Sequence, residues 1–113
     1  MKKLLSMLAL LIAGQASAHH GWSEYDAQRP LRLSGTIKEF GYEHPHGFVR
    51  LKTAHKTWLV VLAPPSRMEN RGLAREQLAK GTTVEVEGYP KRTDTGELRA
   101  ERIRIKQKTT ELR

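Results

Sequence analysis

T-W-L-V-V-L-A-P-P-S-R-M-E-N-R-G, Thr57 to Gly72, carries a strand, a stop and a helix start in direct succession. Thr57 to Leu62 is apolar on both faces, which predicts a strand. Pro64 and Pro65 end it, because proline cannot donate to a ladder. Ser66 and Glu69 have the spacing of a capping box, so they are expected to cover the first free amides of a helix. Gly72 then closes that first turn or two in the left-handed conformation. A second short helical piece is expected from Leu73 to Ala79, stopping at Gly81.

The residues on either side read as strands. Upstream, Leu31, Leu33, Gly35 and Ile37 alternate with Arg32, Ser34, Thr36 and Lys38, the period of a half-buried strand. The alternation slips at Glu39-Phe40, which predicts a bulge. G-Y-E-H-P-H-G, Gly41 to Gly47, is a turn region, and Phe48 to Lys52 a second strand. Ala54-His55 makes a tight reversal into Thr57, with His55 facing solvent. Downstream, Thr82 to Tyr89 is a fourth strand with Val84, Val86 and Gly88 on one face. Asp94-Thr95-Gly96 is a turn, and Glu97 to Lys106 a fifth strand. Leu98 and Ala100 share one parity there and Ile103 and Ile105 the other, so a second bulge is expected. The fold class is all-β with one short helix, in the order β-β-β-α-β-β. That order predicts a small five-stranded OB-like barrel, with bulges where strands must bend to close it. The alternative is an open five-stranded antiparallel sheet packed on the helix.

The first eighteen residues have the layout of a secretory signal peptide. Lys2 and Lys3 form a positive start, Leu4 to Ala13 a short apolar run, and Ala16-Ser17-Ala18 a small-residue cleavage site. The run is far below the roughly 20 residues of a spanning helix. The expected organisation is therefore 1–18 signal peptide, 19–30 N-terminal arm and 31–113 OB-like barrel domain, with export to the periplasm. The 95 residues after Ala18 suit one domain. With no cysteine in the chain, disulfides, thiolate metal sites and thiol nucleophiles are excluded. Without Lys2 and Lys3, 18 Lys and Arg face 12 Asp and Glu, a net +6 that favours anionic neighbours. Bases and acids interleave, as in E-L-R-A-E-R-I-R-I-K, Glu97 to Lys106, the pattern of a solvated strand face.

H-H-G-W-S-E-Y-D from His19, H-P-H-G from His44, A-P-P-S-R-M from Ala63 and G-Y-P-K-R from Gly88 together resemble a family of small exported Gram-negative proteins classed as a domain of unknown function. The resemblance covers nearly all of the chain after Ala18. It implies export and a compact β-rich domain, and supplies no activity. The family's second motif more often reads Asn-Pro-His, so His44 departs from its pattern.

The histidines are the sharpest chemical signal. Cleavage after Ala18 gives His19 a free amine with a pKa near 8, about its unperturbed value. Amine and ring Nδ1 then form a chelating pair for Cu(II), which a third nitrogen completes. His46 and His44 are the candidate third donors. Residues two apart in an extended segment face the same way, and Pro45 biases His44 toward that shape. His20 is an alternate ligand competing for the same amine. The other reading of these residues is a solvated tail and turn histidines bonded to backbone. Trp22 and Tyr25 are expected to pin the arm to the domain, and Asp26 is placed to pair with Arg29.

No nucleophile elbow surrounds Ser66, whose hydroxyl the capping role accounts for. Paired carboxylates and a phosphate-cradling glycine loop are absent from the sequence. Single-strand binders of this fold use aromatics on the second and third strands, here Phe48 and Trp58, whose neighbours predict burial; nucleic acid is set aside as a partner. The expected function is that of a non-enzymatic periplasmic binding protein, with copper at His19, His46 and His44 as its most specific form. The alternative is an accessory module docking on an envelope protein or an anionic glycan, without metal.

Overall fold

The computed structural model describes residues 21–113. The expected leader, His19 and His20 lie outside the described residues. Six strands form one sheet: β1 (Leu31–Gly41), β2 (Phe48–Lys52), β3 (Thr57–Val61), β4 (Thr83–Lys91), β5 (Asp94–Ile105) and β6 (Lys108–Glu111). A single α-helix, α1 (Pro65–Asn70), and a 3-10 turn at Arg75–Leu78 connect β3 to β4.

Pairing closes the ring. β1 lies antiparallel between β2 and β4, β2 pairs with β3, and β4 with β5. β3 and β5 then meet in parallel through Leu59–Glu97, Val60–Leu98 and Val61–Arg99. The protein is thus a closed five-stranded OB-like barrel, and the open sheet is ruled out by that last seam. Both bulges fall where the parity slips. The β1–β2 register shifts between Ile37 and Glu39, and on β5 Glu101 is the extra residue opposite Glu87 and Gly88. At that second bulge the strands come so close that a Cβ on Gly88 would lie 2.1 Å from the Arg99 carbonyl oxygen. Inward residues of every barrel strand, among them Ile37, Leu51, Val60, Val86 and Leu98, form one core. Met68 of α1 and Leu73 and Leu78 of the following connection are fully buried in it.

The structure corrects four local expectations. Helix α1 starts two residues early: Pro64 is its N-cap, Pro65 its first residue, and Ser66 makes no capping hydrogen bond. Proline suits the first helical position because its missing N–H is not needed there. Capping chemistry appears instead at the 3-10 turn, where the Ala74 N–H donates to Gln77 Oε1 at 2.7 Å. The β4–β5 reversal is made by Arg92 and Thr93, and Asp94-Thr95-Gly96 opens β5. Asp94 still behaves as a turn residue, its carboxylate accepting the Gly96 N–H at 2.8 Å. Asp26 sits 3.9 Å from Arg92, not paired with Arg29. A sixth strand, β6, follows a positive-φ Lys106 and pairs with β5 outside the ring. Gly72 does take φ +86°, and His55 is exposed.

Candidate functional site

The loop between β1 and β2 is tied down at both ends. The Tyr42 side chain is buried and donates its hydroxyl to the Leu73 carbonyl at 2.6 Å. At the other end the Gly47 N–H donates to Ala63, and the Gly47 carbonyl accepts from Leu62, at 2.8 and 2.9 Å. Between these anchors Glu43, His44 and Pro45 are exposed and His46 is half-buried. The His44–Pro45 peptide is cis, and the chain bends at both residues. The extended course expected for His44 is therefore not taken. Burial lowers the pKa of His46, and Arg99, His44 and Arg67 lower it further by charge. No three His, Asp or Glu side chains among the described residues converge as a metal site.

The arm lies along the outer side of β4 and β5. A 3-10 turn at Trp22–Glu24 opens it. Backbone bonds then fix it, with the Asp26 N–H donating to Pro90 at 2.8 Å and the Arg92 N–H to Glu24 at 3.0 Å. Tyr25 is buried and donates its hydroxyl to Glu97 Oε2 at 2.5 Å. Burial, and then the bond to Glu97 and its charge, push the Tyr25 hydroxyl pKa up, so it stays a donor. Lys91 sits 3.8 Å from Glu97 and 3.9 Å from Glu24.

Trp22 meets the edge of Tyr89 at 6.1 Å and carries two guanidiniums against its ring, Arg99 at 4.5 Å and Arg113 at 4.4 Å from the centroid. Arg99 is only 8% exposed, on a strand face that the sequence pattern assigns to solvent. The arm covers it, and that long-range contact has no local signal in E-L-R-A-E-R. Burial is the main cause lowering its pKa. Arg67, whose guanidinium donates to the Leu112 carbonyl at 3.0 Å, and Arg113 act in the same direction.

Next to Arg99 across the β3–β5 seam lies the outer face of β2 and β3. Phe48 stands opposite Val61, and Leu59 opposite Arg50. Phe48, Leu59 and Val61 are half-buried outside the barrel core, with Pro45, His46 and Arg50 around them, in a shallow cleft of about 330 Å³. Phe48 is thus not the core residue its neighbours predict, whereas Trp58 packs against the core with Lys56 over its ring at 4.2 Å. This face, beside the loop joining strands one and two, is where OB-folds take ligands. Arg32 on β1 and Arg102 on β5 are paired with acids: Arg32 is 3.2 Å from Glu87, and Arg102 is 3.2 Å from Glu87 and 2.9 Å from Glu111.

Among solved structures, the protein is similar to TiaS, a tRNA agmatidine synthetase. A mutant of TiaS lacking its ZRD, in complex with agmatine, matches at 24% identity and TM-score 0.56, over 77% of this chain and 27% of that one. TiaS in complex with tRNA, AMPCPP and agmatine matches at 26% identity and TM-score 0.54, over 72% of this chain and 19% of that one. A tRNA fluorescent labelling enzyme matches at 27% identity and TM-score 0.53, over 71% and 18%. This chain therefore spans about a quarter or less of the length of those enzymes. No curated protein matches it. No helix among the described residues is long and apolar enough to cross a membrane. Residues 8–99 match the sequence model of a family of unknown function, DUF6152, and the chain belongs to that family.

Proposed function

We propose that this chain is an exported, non-catalytic binding module of the periplasm that docks on an envelope protein through the outer face of β2 and β3. The half-buried apolar strip of Phe48, Leu59 and Val61 carries the reading. Three apolar side chains kept outside a barrel that has a filled core of its own are expensive to leave in water, and such strips mark partner sites. The net positive charge of the chain favours acidic residues beside the apolar anchor of the partner, and Arg50 at the rim is paired with Glu39 at 3.0 Å. An apolar strip fits a protein segment better than a glycan. Nucleic acid stays outside the proposal: TiaS binds tRNA as a much longer chain, and Arg32 and Arg102 here are paired with acids.

The test places a photo-crosslinking residue at position 59 of the exported chain in cells. Docking predicts one dominant adduct, lost with Phe48→Asp and weakened by salt in pull-downs from periplasmic extract. Unchanged capture with Phe48→Asp overturns the docking face. Capture of an anionic polysaccharide that ignores Phe48→Asp assigns the surface to a glycan instead.

A second reading, Cu(II) at His19 with His46 and His44, draws support from one observation. Trp22 rests on Arg99, the strongest charge acting on His46, so the chain enters the described fold on the side of that ring. Arg99 and Arg67 beside His46 oppose a cation there, which ranks copper second. N-terminal sequencing of the exported chain and titration with Cu(II) decide it. A one-to-one complex that survives an added residue before His19 excludes the amine as a ligand.

A further inference from the structure

We propose that Arg99, with Arg113 and Arg67 beside it, forms a receptor for an oxyanion, the carboxylate or phosphate group of a small ligand, where the arm meets the barrel. The inference is independent of the docking face on β2 and β3. A guanidinium taken out of water requires a counter-charge or full hydrogen bonding. The charge of Glu24 favours the ionised Arg99, but the hydrogen bonding of Arg99 is incomplete. The residue is 8% exposed, and its Nε is sealed from solvent with no hydrogen-bond partner. Residues 1–20 contain no Asp or Glu, so the leader and His19-His20 bring no further side-chain counter-charge.

What holds Arg99 in place is aromatic. Its guanidinium lies 4.5 Å from the centre of Trp22 and 5.9 Å from that of Tyr25. These stacking contacts offset part of the desolvation and leave Nε without a partner. Arg113 stacks on the same indole at 4.4 Å, with only a loose 3.7 Å approach to Glu101. Arg67 is fixed beside both through its bond to Leu112, the neighbour of Arg113. Two guanidiniums on one indole, with the charge of Arg67 acting on Arg99 as well, repel each other, and a bound oxyanion reverses the sign of that interaction. The planar fork of arginine matches the oxygens of carboxylate and phosphate alike.

The secreted chain labelled with 15N gives a direct readout in the Arg99 Nε–Hε and Trp22 indole signals. It is titrated with sodium acetate, sodium phosphate and, at matched ionic strength, sodium chloride. Saturable movement of both signals with acetate identifies a carboxylate site, and with phosphate a phosphate site; movement with both supports the shared oxyanion chemistry. Arg99→Lys, which keeps charge but loses the fork, abolishes saturation. Arg113→Gln weakens binding about tenfold, and Arg50→Gln leaves it unchanged. Equal movement with chloride, or none with either oxyanion, overturns the proposal. Should Arg99→Lys unfold the protein, an unchanged affinity in Arg113→Gln overturns it instead.

Discussion

Gly88 sits where two backbones nearly touch. A methyl group there meets the Arg99 carbonyl oxygen at 2.1 Å and the Ala100 Cα at 2.8 Å, and backbone cannot swing aside as a long side chain can. Gly88→Ala is expected to cost about 3 kcal/mol by overpacking against the bulge. Gly21→Ala, with nothing within 4 Å, is expected to stay within about 0.5 kcal/mol of the parent. Paired urea denaturations measure both. His46 makes a second residue-scale prediction. Its folded pKa lies below the ordinary value of about 6.5. Below that pH the unfolded chain binds a proton the folded chain resists, so His46 lowers stability progressively as pH falls from 6.5 through the depressed value. His46→Gln is expected to flatten the stability profile between about pH 7 and 5.5, measured by Tm against pH. A slope equal to the parent's removes His46 as its source. The histidines were visible in the sequence as chemistry, but their surroundings were not. Nothing in H-P-H-G announces that Arg99 and Arg67, both distant along the chain, set the charge around His46.

The elements were legible wherever side chains alternate. Val84, Val86 and Gly88 define β4, and the parity change from Ala100 to Ile103 locates the bulge of β5. Legibility failed where short polar segments are held by tertiary contacts. Lys108–Glu111 is K-T-T-E, with no apolar alternation, yet it is a strand because β5 and α1 grip it. Arg67 donates to the Leu112 carbonyl, Arg71 to those of Glu111 and Arg113, and the Lys108 amine to Gly72. Leu112, only 1% exposed, anchors the end of this segment in the core. Leu112→Ala is expected to cost about 2–4 kcal/mol and to loosen α1 with β6, because the arginines lose their fixed acceptors. Urea denaturation gives the first effect, and amide exchange in 65–72 the second. If exchange there stays as slow as in the parent while stability falls, β6 does not brace the helix. The shifted helix start has a similar origin. Ser66 has capping chemistry, but two prolines before it fix the backbone for an earlier entry, and backbone geometry outweighed one hydroxyl.

At the scale of the whole molecule the decisive feature is the parallel seam between β3 and β5. It joins residues 38 positions apart and turns a sheet with two open edges into a ring. The strand order alone pointed to such closure, because a helix between strands three and four suits a barrel; the arm's contacts came from no comparable pattern. In Trp22 and Tyr25 the sequence offered two aromatics near one end, but not the strands they cover. Closure and arm docking predict different exchange behaviour. In a closed ring the seam amides, residues 59–61 and 97–99, open only with global unfolding, at about 5–10 kcal/mol for a domain this size. The arm amides of Glu24 and Tyr25 rest on a 3-10 turn and a single bridge outside the ring, so they open locally at a lower free energy. Tyr25→Phe, which removes the donor to Glu97, is expected to lower arm protection roughly fivefold to tenfold while leaving the seam unchanged. Native-state hydrogen exchange separates the two populations. Seam amides that exchange as fast as the arm mean that β3 and β5 part in solution, and the ring is then no cooperative unit.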